Sequence, residues 1–92
     1  GVAYGSDVEL VKKLLLQAAT EHKSVLKDPE PTVFFTEFGE SSLDFKLVFT
    51  ISNSFLAIYP KSEIRFRINE LFKEHNVTIP FPQRDVHLFK KQ

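Results

Sequence analysis

Residues 43–51 carry the strongest pattern in this chain, because every second side chain is apolar. The apolar set on one face is Leu43, Phe45, Leu47, Phe49 and Ile51. The other face carries Asp44, Lys46 and Thr50, with Val48 as the apolar exception. Period two is the period of a β-strand, and a continuous apolar face requires a covering layer. The pattern therefore predicts a sheet with one buried face and one wet face.

A partner strand is predicted over Thr32–Phe38, where β-branched and aromatic residues predominate. The segment Gly39-Glu40-Ser41 that follows has the composition of a turn. Strands joined by so short a connection pair with each other in antiparallel fashion. Residues 32–51 are therefore predicted to form a β-hairpin.

An amphipathic helix is predicted after a short opening strand, Gly1–Tyr4, which Gly5 breaks. Either Ser6 or Asp7 can cap its first turn, and Ser6 with Glu9 fits a capping box worth about 1 kcal/mol. Residues recurring at helical spacing predict which side is buried. This stripe comprises Val8, Val11, Leu14, Leu15, Ala18, Ala19 and His22.

A second amphipathic helix is predicted to begin at Lys61 or Ser62 and to stop at Asn76, which tolerates the left-handed conformation. Its buried stripe is predicted to comprise Ile64, Ile68, Leu71, Phe72 and His75. The connector Ser52–Pro60 before this helix is unusually apolar from Phe55 to Tyr59. Such a run either folds back onto the core or contacts a partner, and the sequence leaves both alternatives open.

A last strand is predicted to begin at Val77–Ile79 and to resume at Val86–Phe89. The order is then strand, helix, strand, strand, helix, strand. Two helices on one face of an antiparallel sheet form an α+β two-layer sandwich of the ferredoxin-like type, βαββαβ. From the right-handed crossover rule we expect the first and third strands to lie side by side and parallel. Residues 1–92 are predicted to be one domain.

Composition narrows the function classes. Twelve basic residues balance twelve acidic ones, which argues against nucleic-acid binding because that needs a basic surface. The chain has no cysteine, so disulfides, thiolate zinc sites and cysteine nucleophiles are excluded. It has no methionine and no apolar run near the roughly 20 residues of a membrane span. We therefore expect a soluble piece of a longer protein.

No catalytic, cofactor or metal residue is predicted. His22 and His75 lie near the carboxyl ends of the predicted helices, where the helix dipole favours a protonated imidazole by about 0.3–1 kcal/mol. Their spacing supplies no further metal ligands. Acidic residues are scattered singly, no base stands beside Ser41 or Ser42, and the glycines form no phosphate-binding loop. The chain is therefore not expected to be an enzyme.

The closing segment is constrained by Pro80 and Pro82, which bracket Phe81. Proline fixes the backbone and has no N–H, so this segment is extended and cannot pair in the middle of a sheet. The short apolar strand that comes next must therefore leave the domain's own sheet. Residues 83–92 are interpreted as this departing strand and tail.

Five stretches together resemble the carboxy-terminal cytoplasmic domain of the small-conductance mechanosensitive channel (MscS) family. They are residues 1–7 (GVAYGSD), 26–31 (LKDPEP), 38–45 (FGESSLDF), 61–72 (KSEI through Ile68 and Phe72) and 79–88 (IPFPQRDVHL). Each stretch is weak by itself, but their order and spacing span nearly the whole chain.

The resemblance implies a channel domain with a structural and assembly role. Family members are homoheptamers of the bacterial inner membrane that open under bilayer tension and release ions and small osmolytes on osmotic downshock. Domains similar to this one form the lower wall of a hollow cytoplasmic cage, and strands similar to residues 85–89 form a small barrel at its floor. The residues expected at the subunit interface are then Phe81, Pro82, Arg84 and Val86.

Two other functions fit the same fold class. A ferredoxin-like domain that binds a small regulatory ligand would need a concave pocket with convergent polar groups. A small hydrolase of the acylphosphatase type would need an arginine-bearing loop after the first strand, and this chain has no such loop.

Overall fold

The computed structural model describes residues 1–52 and 56–80. Two helices and two strands follow in the order α1 (Val8–Thr20), β1 (Thr32–Phe38), β2 (Leu43–Val48) and α2 (Ile58–Glu74). The strands form one antiparallel sheet, and the helices pack against it and against each other. The predicted α+β two-layer sandwich is confirmed, but the full βαββαβ order is not, because the opening segment forms only a bridge at Val2 and residues 77–79 form no strand. The predicted strand at 86–89 lies outside the described residues.

Helix α1 begins where Asp7 caps it. Asp7 has an extended backbone, and its side chain accepts a hydrogen bond from the Leu10 N–H at 3.2 Å. Of the two predicted caps, Asp7 is therefore the one used. Ser6 lies outside the helix and its N–H donates to the Ala3 carbonyl, so the predicted capping box with Glu9 is wrong.

The hairpin has the predicted faces. Val33 is opposite Leu47, Phe35 is opposite Phe45, and Phe38 is opposite Leu43. The register shifts between Phe35 and Glu37, so β1 carries a bulge there. The bulge changes the alternation of β1 by one residue and thereby returns Phe38 to the face that Phe35 occupies.

Strand β2 ends at Val48, three residues before its predicted end. Its partner β1 begins only at Thr32, directly after Pro31, which has no N–H to donate. After Val48, residues 50 and 51 pair instead with the segment that follows α1. The Leu26 N–H donates to the Thr50 carbonyl at 2.8 Å, and Ile51 forms a bridge with Val25.

Helix α2 begins at Ile58, so its predicted start at Lys61 or Ser62 is wrong. Pro60 is accommodated because the first N–H groups of a helix have no partner within it. The predicted end is confirmed. Asn76 has a φ of 58°, and the Val77 N–H donates to the Phe72 carbonyl at 2.8 Å, which is the bond of a Schellman cap.

The opening segment runs antiparallel to β2. The N–H groups of Val2 and Leu43 each donate to the other's carbonyl, at 2.9 and 2.8 Å. The predicted parallel arrangement is therefore wrong. Because β1 is also antiparallel to β2, the opening segment and β1 run parallel to each other on either side of β2. The opening segment also contacts the segment that follows α2, because the Ala3 N–H donates to the Thr78 carbonyl at 2.8 Å.

The core lies between the two helices and the sheet. Most apolar members of the two predicted helix stripes are buried, Val8 and Ile68 are partly buried, and His75 is exposed, contrary to the prediction. The buried core residues are Val2, Val11, Leu14, Leu15, Ala18, Val25, Leu43, Ile64, Leu71 and Phe72.

Candidate subunit interface

The four residues predicted at the subunit interface, Phe81, Pro82, Arg84 and Val86, lie outside the described residues. So does the tail at 83–92. Their assignment to the subunit interface stays a prediction. Exposed side chains within residues 1–52 and 56–80 form two further candidate contact surfaces.

The hairpin turn is held on two sides. The Tyr4 hydroxyl donates to the Gly39 carbonyl, and the Gly39 N–H donates to the Ser42 carbonyl at 2.7 Å. A side chain at Gly39 would come within 2.9 Å of the Ser42 carbonyl oxygen and of Asp44 Oδ2. Glycine is required there by lack of space, so the turn has a fixed shape.

Acidic and aromatic side chains meet at this end of the sheet. Glu37 is directly opposite Asp44 in the strand register, and like charges in that position are unfavourable. Glu40 is exposed on the turn. Phe38 is 73% exposed although its ring lies 5.0 Å from that of Phe35. We call Glu37, Phe38, Glu40 and Asp44 the hairpin patch.

Helix α2 presents a second exposed surface. Ile58 is 72% exposed and Phe66 is 71% exposed, and both lie on the side of the helix away from the core. Lys61 and Arg65 are also exposed, and both border the groove that Ile64 and Ile68 line. We call Ile58, Lys61, Arg65 and Phe66 the helix patch. The sequence signal that could have found it is an aromatic residue between two arginines, outside the buried stripe.

The apolar connector is largely exposed where the structure describes it, although Pro60 at its end is buried and Ala57 is partly buried. Leu56, Ile58 and Tyr59 are 53%, 72% and 65% exposed. For these three residues the core alternative is wrong. Their exposure favours the other alternative, a contact with a partner.

The two helices are joined by a hydrogen-bonded junction around His22. The imidazole Nε2 lies 2.7 Å from Glu63 Oε1, and the Ser24 N–H donates to Nδ1 at 3.1 Å. Because Nδ1 accepts, it carries no proton, and Nε2–H is the donor to the carboxylate. Beside it, Arg67 donates to Glu21 at 2.5 Å, and this hydrogen bond raises the pKa of Arg67. The junction therefore positions α1 against α2.

Residues 1–52 and 56–80 hold no group of three or more acidic or histidine side chains placed to bind a metal. A groove of about 310 Å³ lies between β2 and α2, with Leu47, Phe49, Ile64 and Ile68 as its apolar lining and Lys61 and Arg65 at its polar side. Neither helix in the described part of the chain has the length and apolarity needed to cross a bilayer.

Comparison of the sequence with known proteins identifies the family to which it is similar. The family described as "Mechanosensitive ion channel MscS, C-terminal" matches residues 1–79. An uncharacterized MscS family protein of Haemophilus influenzae is 47% identical over 96% of this chain. The mechanosensitive channel MscK of Escherichia coli is 44% identical over 100% of the chain, and the small-conductance mechanosensitive channel of Edwardsiella ictaluri is 36% identical over 98% of it.

These relatives are much longer than the matched region. The chain spans 8% of the length of the first two proteins and 31% of the third. The family match covers both helices and the hairpin described above. The chain therefore belongs to the MscS family of mechanosensitive ion channels and corresponds to its carboxy-terminal domain.

Proposed function

We propose that this chain is the cytoplasmic cage domain of a homoheptameric mechanosensitive channel of the bacterial inner membrane. In this role residues 1–92 are one domain of a longer membrane protein. The domain carries out no chemistry. It lines the route by which ions and small osmolytes reach the pore, and it holds neighbouring subunits together.

The observation that carries the proposal is the family match over residues 1–79. The names of two relatives, a mechanosensitive channel and a small-conductance mechanosensitive channel, support the same function. A cage wall acts through the spacing of its subunits and the charges along its openings. It requires exposed contact surfaces rather than a catalytic cleft, and the hairpin patch and helix patch are surfaces of that kind.

The proposal is tested on the full-length protein in bacterial cells that lack their own mechanosensitive channels. We expect cells producing it to survive hypo-osmotic shock, and native mass spectrometry of the purified protein to give a heptamer. A form without residues 1–92 is the matched comparison and is expected to lose assembly. A stable monomer or dimer of the full-length protein would contradict the proposal.

A further inference from the structure

The hairpin patch and the helix patch lie at opposite ends of β2. The hairpin patch surrounds the turn that leads into Leu43. The helix patch borders the groove that Leu47 and Phe49 line. At about 3.4 Å per residue, the step from Asp44 to Phe49 is about 17 Å. The two patches are therefore separate surfaces, far enough apart to contact two different partner molecules.

The patches have opposite charge and the same aromatic character. The chain as a whole is neutral, with twelve basic and twelve acidic residues. The opposite charges of the two patches therefore reflect where the charged residues lie and not a net charge of the chain. Within residues 1–52 and 56–80 the ion pairs involve His22, Glu21, Glu63, Arg67 and Glu70 only. Glu37, Glu40, Lys61 and Arg65 are exposed and in none of these pairs, so they are available to a partner, whereas the Asp44 carboxylate already accepts a hydrogen bond from the Ser42 hydroxyl at 2.6 Å.

The hairpin patch also carries an unfavourable feature that a partner would relieve. Glu37 and Asp44 are paired across the strands, and two carboxylates in that arrangement repel each other. A cationic group placed beside them removes the repulsion. The exposed ring of Phe38 offers a flat face on which a guanidinium can lie, as in a cation–π contact.

We propose that the helix patch of one copy binds the hairpin patch of the next copy, head to tail. Arg65 then lies over Phe38 of the adjacent copy, and Lys61 lies beside Glu37 and Glu40. A contact between two different surfaces is heterologous, and repetition of such a contact closes a ring when the rotation allows it. A two-fold contact of either patch with itself would instead bring like charges together. The inference rests on the proposed function and specifies which surfaces hold the ring together.

Cysteine pairs test the contact directly, since the 92 residues contain no cysteine. In the full-length protein, with cysteines elsewhere replaced by serine, Ser41→Cys on the hairpin turn and Asn69→Cys beside Arg65 and Phe66 are combined and treated with a short thiol crosslinker. Both residues are exposed and neither belongs to a patch, so the fold and the proposed contact are preserved. We expect a ladder of crosslinked subunits from the double variant and no ladder from either single variant. Phe34→Cys with Asn69→Cys, which uses the outer sheet face, is the matched control and should remain uncrosslinked.

Charge reversal provides a second readout. Lys61→Glu in the double-cysteine background is expected to abolish the ladder, and adding Glu37→Lys, which reverses the charge of its proposed partner, is expected to restore it. Raising the salt from about 0.1 M to about 1 M, which shortens the Debye length from about 10 Å to about 3 Å, should weaken crosslinking. Either single cysteine variant giving dimers would overturn the inference.

The result also separates this inference from the proposed function. A heptamer in native mass spectrometry, with no ladder from the double variant, overturns the head-to-tail contact and leaves the channel function standing. A protein that forms no heptamer and no ladder overturns both.

Discussion

The start of α1 depends on two adjacent backbone requirements. Gly5 has a φ of +91°, a conformation that side chains with a Cβ rarely adopt. Two residues later, the Asp7 carboxylate accepts the hydrogen bond that the Leu10 N–H would otherwise lack. The glycine reverses the direction of the opening segment, and the aspartate then begins the helix.

Replacement of the cap should have a defined cost. Asp7→Ala removes the acceptor for the Leu10 N–H, and we expect the free energy of unfolding to fall by about 1 kcal/mol. The measurement is urea unfolding followed by circular dichroism. Ser6→Ala is the matched control and should change stability by less than about 0.5 kcal/mol, as for a surface substitution. An equal loss from both variants would mean that Ser6 also caps the helix.

The junction between the helices fixes the tautomer of His22. Because the Ser24 N–H donates to Nδ1 and Nε2 faces the Glu63 carboxylate, the neutral ring should carry its proton on Nε2. Nitrogen-15 NMR of the imidazole at neutral pH distinguishes the two tautomers. His87, whose surroundings are not part of the described structure, serves as an internal comparison. A proton found on Nδ1 of neutral His22 would contradict the geometry.

Helix α2 has one side that packs within the domain and another side that is exposed. Ile64, Leu71 and Phe72 are buried against α1 and the sheet. Phe66 and Ile58 lie on the opposite side and are exposed. Hydrophobic residues on both sides of a helix indicate that one side packs within the domain and that the other is available for contacts outside it.

The two sides of α2 should respond differently to truncation. Leu71 is 1% exposed, and Leu71→Ala is expected to lower the free energy of unfolding by about 2–5 kcal/mol through lost burial and a residual cavity. Phe66→Ala removes a larger side chain from the surface and should change it by less than about 0.5 kcal/mol. Chemical denaturation of the two variants provides the measurement. A comparable loss from Phe66→Ala would place Phe66 in the core and remove it from the helix patch.

The elements that the sequence predicts correctly are those set by local periodicity. The alternation of 43–51 gave the buried face of β2, and the turn at Gly39 gave the hairpin. The errors have other causes. The predicted start of α2 is too late because a proline usually marks a helix boundary, whereas Pro60 lies in the first turn, where proline is accepted. The bulge after Phe35 was missed because it arises from pairing between strands, which no single strand encodes.

The candidate surfaces were only partly predictable for a related reason. Apolar residues in the connector indicated either core or contact, and the choice depended on whether Ile58 and Tyr59 fell within a helix. Aromatic residues in strand Thr32–Phe38 favour core packing, and that expectation is wrong for Phe38, which is 73% exposed, whereas Phe66 lies outside the predicted buried stripe of its helix. Their exposure depends on which side of each element the rest of the chain covers, and that is a property of tertiary packing.

For the whole molecule, the groove between β2 and α2 is the feature that a ligand-binding function would use. Its lining is largely apolar, with Lys61 and Arg65 as the polar groups, and a specific site needs several convergent polar groups. We therefore expect no rise in melting temperature from amino acids or nucleotides in a thermal-shift screen. A bound ligand at about 100 times its Kd would stabilise the fold by about 2.7 kcal/mol, which such a screen detects readily. A clear and saturable rise would favour the regulatory-domain alternative.

The bond between the Ala3 N–H and the Thr78 carbonyl has a mechanical consequence. It joins the first and last parts of the described domain directly, next to the Val2–Leu43 bridge. A pull that separates these two ends must therefore break this backbone bond before the two segments can part.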